Sequence, residues 1–294
     1  MSGDRPVSTK RGNEQMNSTA NRTKRLATAL ALLPVLGLAA CQTAPETMAN
    51  ISPVDAAQAS SENISSLTAV IERSPNDAEA YNVRGSAYGR GGRNREALAD
   101  FDRAIQINPN FYQAYNNRAL IHRNMGNNQA ALADYNRALQ LNPNYDAAYI
   151  GRGNLYRVSG RTNEAFQDFD RAIQLDTTNP RAYYNRGLMY QLRNQHDYAI
   201  NDFAQAISLS PNAAEPYTAR GLSYLAIENE DNALADFNAA LVRDKTNAEA
   251  WAYQGLILER RGERQRASRS FAEAARLDPN LEVARDGLSR TRAT

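Results

Sequence analysis

The chain is poor in the residues on which most reactions depend. Its 294 residues hold one cysteine, two histidines and one tryptophan. A lone cysteine excludes an intramolecular disulfide and any metal site built on paired thiolates. The histidines, His122 and His196, form no His-Glu-x-x-His motif, and there is no Walker loop. His122 falls where other repeats carry tyrosine and is expected in the core, and His196 is expected in a solvent-facing turn. Gly151 and Gly153 start a dinucleotide-type glycine pattern, but Tyr156 stands where the third glycine is needed. Long apolar runs are lacking too: Leu26 to Ala40, interrupted by Thr28, Pro34 and Gly37, is 15 residues long and too short for an ordinary membrane-spanning helix. These absences point away from catalysis and lead to the expectation of no enzyme, no metal and no cofactor.

What the chain has instead is a period. Tyr-x-x-Arg-Gly-x-x-Tyr starts at Tyr81, Tyr149, Tyr183 and Tyr217, with variants at Tyr115 and Trp251, a spacing of 34 residues. Six repeats begin at Ala78, Tyr112, Asp146, Pro180, Ala214 and Ala248. Position four is aromatic, eight is glycine or alanine, twenty and twenty-seven are alanine, and twenty-four is phenylalanine or, at Tyr135, tyrosine. Positions four, eight and eleven share one helix face, as do twenty, twenty-four and twenty-seven. Each repeat therefore reads as two amphipathic helices, with small residues letting the axes approach and aromatics filling the space beside them. Gly92, Gly126, Gly160 and Gly262 mark the turn after the first helix, and Pro109, Pro143, Pro211 and Pro279 follow the second. A fixed period of this length predicts a solenoid, whose asset is extended surface.

These residues resemble the tetratricopeptide repeat in its diagnostic positions over residues 75–280. The resemblance implies an all-α, right-handed superhelical solenoid of six helix pairs with a concave groove. A half-repeat helix at 62–74, carrying Leu67 and Val70 at positions twenty-four and twenty-seven, is expected to cover its start. A capping helix at 281–294, with Leu281, Val283, Ala284 and Leu288 among charged residues, is expected to close its end.

Residues 1–40 read as a signal peptide: Arg22, Lys24 and Arg25 precede the apolar run, and residues 1–15 fit no pattern, so Met16 is the expected true start. Leu38-Ala39-Ala40-Cys41 resembles a bacterial lipobox, which implies cleavage before Cys41 and lipidation of that residue. Several acyl chains, at ~0.8 kcal/mol per buried CH₂, would hold the protein on a membrane. Gln42 stands where enterobacterial lipoproteins retained in the inner membrane carry aspartate, so the expected location is the periplasmic face of the outer membrane of a Gram-negative bacterium. Residues 41–61, rich in Ala, Ser, Thr and Pro, read as a flexible tether. Six of the 34 basic residues and two of the 32 acidic ones lie in 1–41, so residues 42–294 carry two more acids than bases. That balance gives no reason to expect nucleic acid as a partner.

Differences among the repeats carry the rest. Position seven is arginine in five repeats (Arg84, Arg118, Arg152, Arg186, Arg220), and position twenty-three is aspartate in the same five (Asp100, Asp134, Asp168, Asp202, Asp236). The sixth repeat has Gln254 and Ser270 there, and this joint loss predicts structural ion pairs between the helices of a repeat. Family geometry puts the groove at positions two, five, nine, twelve and thirteen. Its peptide-binding candidates are polar in the first half, Asn82, Asn116, Asn154 and Arg157. In the second half they are Tyr184, Leu188, Leu192, Leu222, Leu225 and Leu256, with Arg181 near the entrance. Asparagine can bond a peptide backbone through both donor and acceptor. Position five is never basic, so the carboxylate clamp of chaperone-binding family members lacks its lysine. The resemblance implies a membrane-anchored periplasmic adaptor that binds proteins or peptides in cell-envelope maintenance. The alternative is a pilotin-like assembly factor, or an outer-membrane assembly component, for a secretion or pilus machine.

Overall fold

The computed structural model describes residues 58–292; the signal segment, Cys41 and most of the tether lie outside the described residues. All regular structure among the described residues is helical. Helix α1 (Ser61–Arg73) precedes six pairs: α2 (Ala78–Arg90) and α3 (Asn94–Ile107); α4 (Tyr112–Asn124) and α5 (Asn128–Leu141); α6 (Asp146–Val158) and α7 (Thr162–Leu175); α8 (Pro180–Leu192) and α9 (His196–Leu209); α10 (Glu215–Ala226) and α11 (Glu230–Arg243); α12 (Ala248–Arg260) and α13 (Arg264–Leu277). Helix α14 (Glu282–Arg292) comes last. The fold is the tetratricopeptide solenoid that the period predicts.

Local chemistry sets the boundaries. The turn within a repeat needs one left-handed residue, supplied by Gly92, Gly126, Gly160 and Gly262 at φ 71° to 78°. Asn194 and Glu228 hold the same turn at φ 56° and 60° without being glycine. Between repeats, a side chain at position thirty-one accepts the backbone N–H two residues on: Asn108 from Asn110, Asn142 from Asn144, Asp176 from Thr178, Asp244 from Thr246 and Asp278 from Asn280. This Asx turn ends the second helix with or without the proline.

The two helices of a repeat meet through a ring and a bare Cα. A Cβ added at Gly85, Gly153, Gly187, Gly221 or Gly255 would stand 2.7–2.9 Å from the phenylalanine at position twenty-four of its own repeat. Those rings, Phe101, Phe169, Phe203, Phe237 and Phe271, are at most 1% exposed, and the alanines at twenty and twenty-seven are fully buried. The second repeat breaks the rule. Ala119 occupies position eight and shares a core cluster with the Tyr135 ring, which also lies against Gly151 of the next repeat, where a Cβ would stand 2.4 Å from Cε1. The final ring, Phe271, lies against both Gly255 and Gly287 of the capping helix.

A ladder of charge runs beside this core. Each position-seven arginine donates from Nε and Nη2 to both carboxylate oxygens of its own repeat's aspartate, at 2.6–2.8 Å. The remaining Nη1 reaches back to position twenty-five of the preceding unit: Arg84 to Thr68, Arg118 to Asp102, Arg152 to Asn136 and Arg186 to Asp170. Ala204 takes that place before Arg220 and offers no acceptor. Gln254 carries the ladder on without charge, accepting from Ser270 at 2.6 Å and donating to Asn238 at 2.7 Å. Tyrosines flank the cations, as Tyr149 and Tyr156 do at 5.5 and 5.8 Å from Arg152. The bonded carboxylate of Asp202 holds the Arg186 guanidinium above its ordinary value.

The ends differ in detail from expectation. In α1 the buried residues are Ile64 and Ile71, while Leu67 is half-buried and Val70 is 37% exposed. Among the described residues this helix has no partner from its own repeat. In α14, Ala284, Gly287 and Thr291 are buried, and Leu281, Val283 and Leu288 pack at the rim of the last core cluster pair. Arg290 ties this helix to Glu259 through two bonds at 2.7 and 2.9 Å.

Two substitutions test the packing. Gly151→Ala should cost about 2 kcal/mol, because its Cβ would push the buried Tyr135 ring. The same position carries Val83, Asn117 and Tyr253 in other repeats; a urea midpoint equal to wild type would refute the tight fit of the Tyr135 ring on Gly151. Asp168→Ala should cost about 2 kcal/mol by stranding Arg152, whose side chain is 20% exposed and keeps only its bond to Asn136. Asp168→Asn, which retains one acceptor, should cost less in the same denaturation experiment.

Candidate functional site: the inner face of the first helices

The side on which the solenoid closes is set by which helices touch their neighbours. The first helices of successive repeats, α2, α4, α6, α8, α10 and α12, contact one another in sequence, and α12 contacts α14. The second helices make no comparable contact among themselves. The first helices therefore line the tighter, inner face, and the second helices splay outward.

Side chains of that face bond across the repeat junctions. Asn117 donates to Asn82 Oδ1 at 3.0 Å and contacts Ser86 Oγ at 3.4 Å. Asn116 donates to Asn117 Oδ1 at 3.3 Å, and its own Oδ1 is buried with no hydrogen-bond partner. Gln191 donates to the Ala219 carbonyl and to Ser223 Oγ, both at 2.8 Å. Asn179 donates to Asp146 and Asn247 to Thr218, at 3.0 and 2.9 Å. Sequence reasoning passed over Asn117, Gln191, Ser223 and Thr218. Their signal was weak: each is a polar residue at a position that is apolar or small in some other repeats.

The candidates separate by what the structure asks of them. Asn82 is buried and already accepts from Asn117. Tyr184 packs on Phe203 at 5.9 Å between centroids and joins the Ala199–Ala219 cluster together with Leu188. Leu222 and Leu225 pack on the Phe237 cluster, and Leu256 on the Phe271 cluster. Leu192 is 42% exposed. Asn116, Asn154 and Arg157 are half-buried and Arg181 is exposed. The expected apolar half of the groove is thus largely spent on packing between helices, and the solvent-facing chemistry lies in the middle repeats. His196 is not the turn residue expected: it is the first residue of α9, half-buried, with an unpartnered Nδ1, and burial lowers its pKa. His122 is half-buried in α4, and its Nδ1 is also without a partner.

Charge on this face is segmented. Position two reads Glu79, Gln113, Ala147, Arg181, Glu215 and Glu249 along the solenoid, and position twelve reads Gly89, Arg123, Arg157, Gln191, Leu225 and Glu259. Cations occupy the middle and acids the ends. Burial pushes the Glu249 carboxyl above the usual carboxylate range. Among the described residues, no group of three or more His, Cys, Asp or Glu could hold a metal, and no helix is long and apolar enough to cross a membrane.

Family models described as "Tetratricopeptide repeat" match residues 78–111, 112–145, 180–213 and 248–281, and one described as "TPR repeat" matches 153–193. Together they take in more than half of the chain, and the chain belongs to the tetratricopeptide repeat family. The fifth repeat falls outside these matches yet forms the same helix pair. No curated protein sequence matches the chain. Among solved structures, it is similar to the APC/C hetero-tetramer Cut9-Hcn1, with a TM-score of 0.70, 20% identity and coverage of 81% of this chain. It spans about half, 48%, of that longer chain. YrrB, described as a TPR protein with an unusual peptide-binding site, is similar over 64% of this chain and 97% of its own, at TM-score 0.53 and 26% identity. PilW, described as a widely conserved type IV pilus biogenesis factor, is similar over 72% and 98%, at TM-score 0.64 and 20% identity.

The raised Glu249 carboxyl has a pH signature. A carboxyl whose pKa is raised by folding weakens the folded state once it ionises, so the penalty is absent in acid and present at neutrality. Glu249→Gln should therefore raise the thermal midpoint at pH 7 and leave it nearly unchanged at pH 4. Equal shifts at both pH values would exclude a charge effect.

Proposed function

We propose that this protein is a scaffold lipidated at Cys41, held on the periplasmic face of the outer membrane of a Gram-negative bacterium, where its inner face binds proteins or peptides in cell-envelope maintenance. It acts by binding and carries no reaction. The observation that carries this reading is the division of labour among positions. The periodic residues are consumed by helix packing and the arginine–aspartate ladder, whereas the variable residues of the first helices line one continuous inner face. An extended surface of this kind, with asparagine and arginine side chains along it, suits a peptide. YrrB, described as having an unusual peptide-binding site, supports the same use of the fold. The anchor rests on the lipobox-like Leu38-Ala39-Ala40-Cys41 and the apolar run before it. The competing role, assembly factor for a pilus or secretion machine, is supported by the likeness to PilW, which at 20% identity concerns the fold.

Two measurements test the proposal. Labelled palmitate should enter the wild-type protein in a Gram-negative host and fail to enter Cys41→Ala, which should also leave the membrane fraction; labelling of the variant would overturn the anchor. A photo-crosslinker at the exposed Leu192 should capture a periplasmic partner in cells, whereas one at exposed Val242 on a second helix should not. Capture from Val242 alone would move the binding surface to the outer face, and capture of a secretin would replace the adaptor role with assembly.

A further inference from the structure

We propose that the edge of the solenoid formed by the turns inside the repeats lies on a lipid surface carrying anionic headgroups. Met125, Val158, Leu192 and Ile227 enter the headgroup region, and arginines of the first repeats hold the phosphates. The proposal rests on the reading of the protein as membrane-anchored and specifies which side faces the membrane.

The apolar row comes first. First helices end and second helices begin at this edge, and neighbouring turns bond across the repeat junctions. Arg193 donates to Asn163 at 2.9 Å, Arg260 to Glu230 at 2.9 Å and Arg261 to Asp231 at 2.6 Å. Met125 and Ile227 directly follow α4 and α10, and Val158 and Leu192 are the last residues of α6 and α8. All four are 41–52% exposed. Four consecutive repeats thus present one large apolar side chain at the same place. Tyr198, exposed in the first turn of α9, adds to the row. A line of apolar groups in water marks a contact surface when it is continuous.

Charge says what covers it. Over positions twelve to nineteen the first three repeats hold Arg90, Arg93, Arg95, Arg123, Arg157 and Arg161 against Glu96 and Glu164. In the fourth, Arg193 and Asp197 balance. Acids lead only in the fifth, where Arg260 and Arg261 of the sixth hold Glu230 and Asp231. The opposite edge differs: its turns at 108–111, 142–145, 176–179 and 210–213 contain no lysine or arginine. Apolar side chains among arginines match a surface where acyl chains begin beneath phosphates, and a guanidinium bonds a phosphate with two donors.

The chain itself enters the fold at this edge. Helix α1 stands where a second helix would, with Thr68 at the place of position twenty-five. Its N-terminus therefore lies beside the first turn, and a Cβ added at Gly91 would stand 3.4 Å from the Ala59 Cβ. Gln58 comes seventeen residues after Cys41, a stretch that spans at most about 60 Å. The opposite edge lies beyond α1, about 20 Å further along the chain. A membrane that holds Cys41 is nearest to the basic, apolar edge. The inner face runs along the sides of the first helices and this edge across their ends, so docking leaves the inner face open to a partner; position thirteen borders both.

The test uses the full-length chain with Cys41→Ala and an environment-sensitive dye on Met125→Cys or, as control, on Val242→Cys. Val242 is 78% exposed near the C-terminal end of α11, towards the opposite edge. Vesicles of phosphatidylglycerol and phosphatidylethanolamine should shift the emission of the Met125→Cys dye to the blue and leave the Val242→Cys dye unshifted. Phosphatidylcholine alone should give a smaller shift at Met125→Cys. Adding Arg90→Gln and Arg123→Gln should remove about half of the anionic shift or more, with the thermal midpoint of wild type, because neither residue belongs to the ladder. Equal shifts at the two positions, equal shifts with the two lipids, or a shift that the arginine variant keeps in full overturns anionic docking. A shift at neither position overturns it too and leaves the row to a protein partner. The anchor stands or falls by the palmitate label on Cys41, which this measurement does not use.

Discussion

In five of the six repeats the edge of a phenylalanine ring rests where the first carbon of a side chain would otherwise stand. That contact sets the distance between the two helices of a repeat, and everything else is fitted around it. A bare Cα at position eight lets the axes close, and the ring at twenty-four fills the gap that closure leaves. The alanines at twenty and twenty-seven can then be buried completely. With this spacing in place, the arginine at position seven lies within bidentate reach of the aspartate at twenty-three in every repeat that has both.

The second layer of order joins one repeat to the next. Because the arginine holds its own aspartate with two donors, a third is left for the preceding unit, and Thr68, Asp102, Asn136 and Asp170 accept it. Buried ion pairs of this kind add little net stability over an apolar contact, but breaking one leaves a stranded charge. Their contribution is registration: a misaligned repeat cannot satisfy both ends of the guanidinium. The ladder loses its junction bond before the fifth repeat, where Ala204 has no acceptor. The buried bonds of Gln191 to Ala219 and Ser223 join the fourth and fifth repeats from the inner side instead.

The one repeat that departs from the glycine–phenylalanine pair at positions eight and twenty-four is the second. Ala119, Tyr135 and Gly151 form a set: a methyl at position eight, the ring that clusters with it, and a bare Cα in the next repeat that the ring touches. Tyr135 remains a core ring, 1% exposed.

The period by itself determined the fold, because each of its positions answers to a packing need repeated six times over. Fixed spacing, small residues at eight and twenty, and paired arginine and aspartate can be read as helix contacts without coordinates. The turns were equally legible wherever glycine marks them, and less so at Asn194 and Glu228, where the surrounding helices impose a positive φ on ordinary residues. Only the tertiary structure decided which inner-face residues remain for a ligand. Leu222, Leu225 and Leu256 read as groove in the sequence but pack against core rings, since a helix face used for binding borders the face used for stacking. Asn82 was legible as polar, whereas its capture by Asn117 depends on the angle at which two repeats meet. The same angle places Gly151 over Tyr135, a pairing that recurs where Phe237 meets Tyr253 and Phe271 meets Gly287.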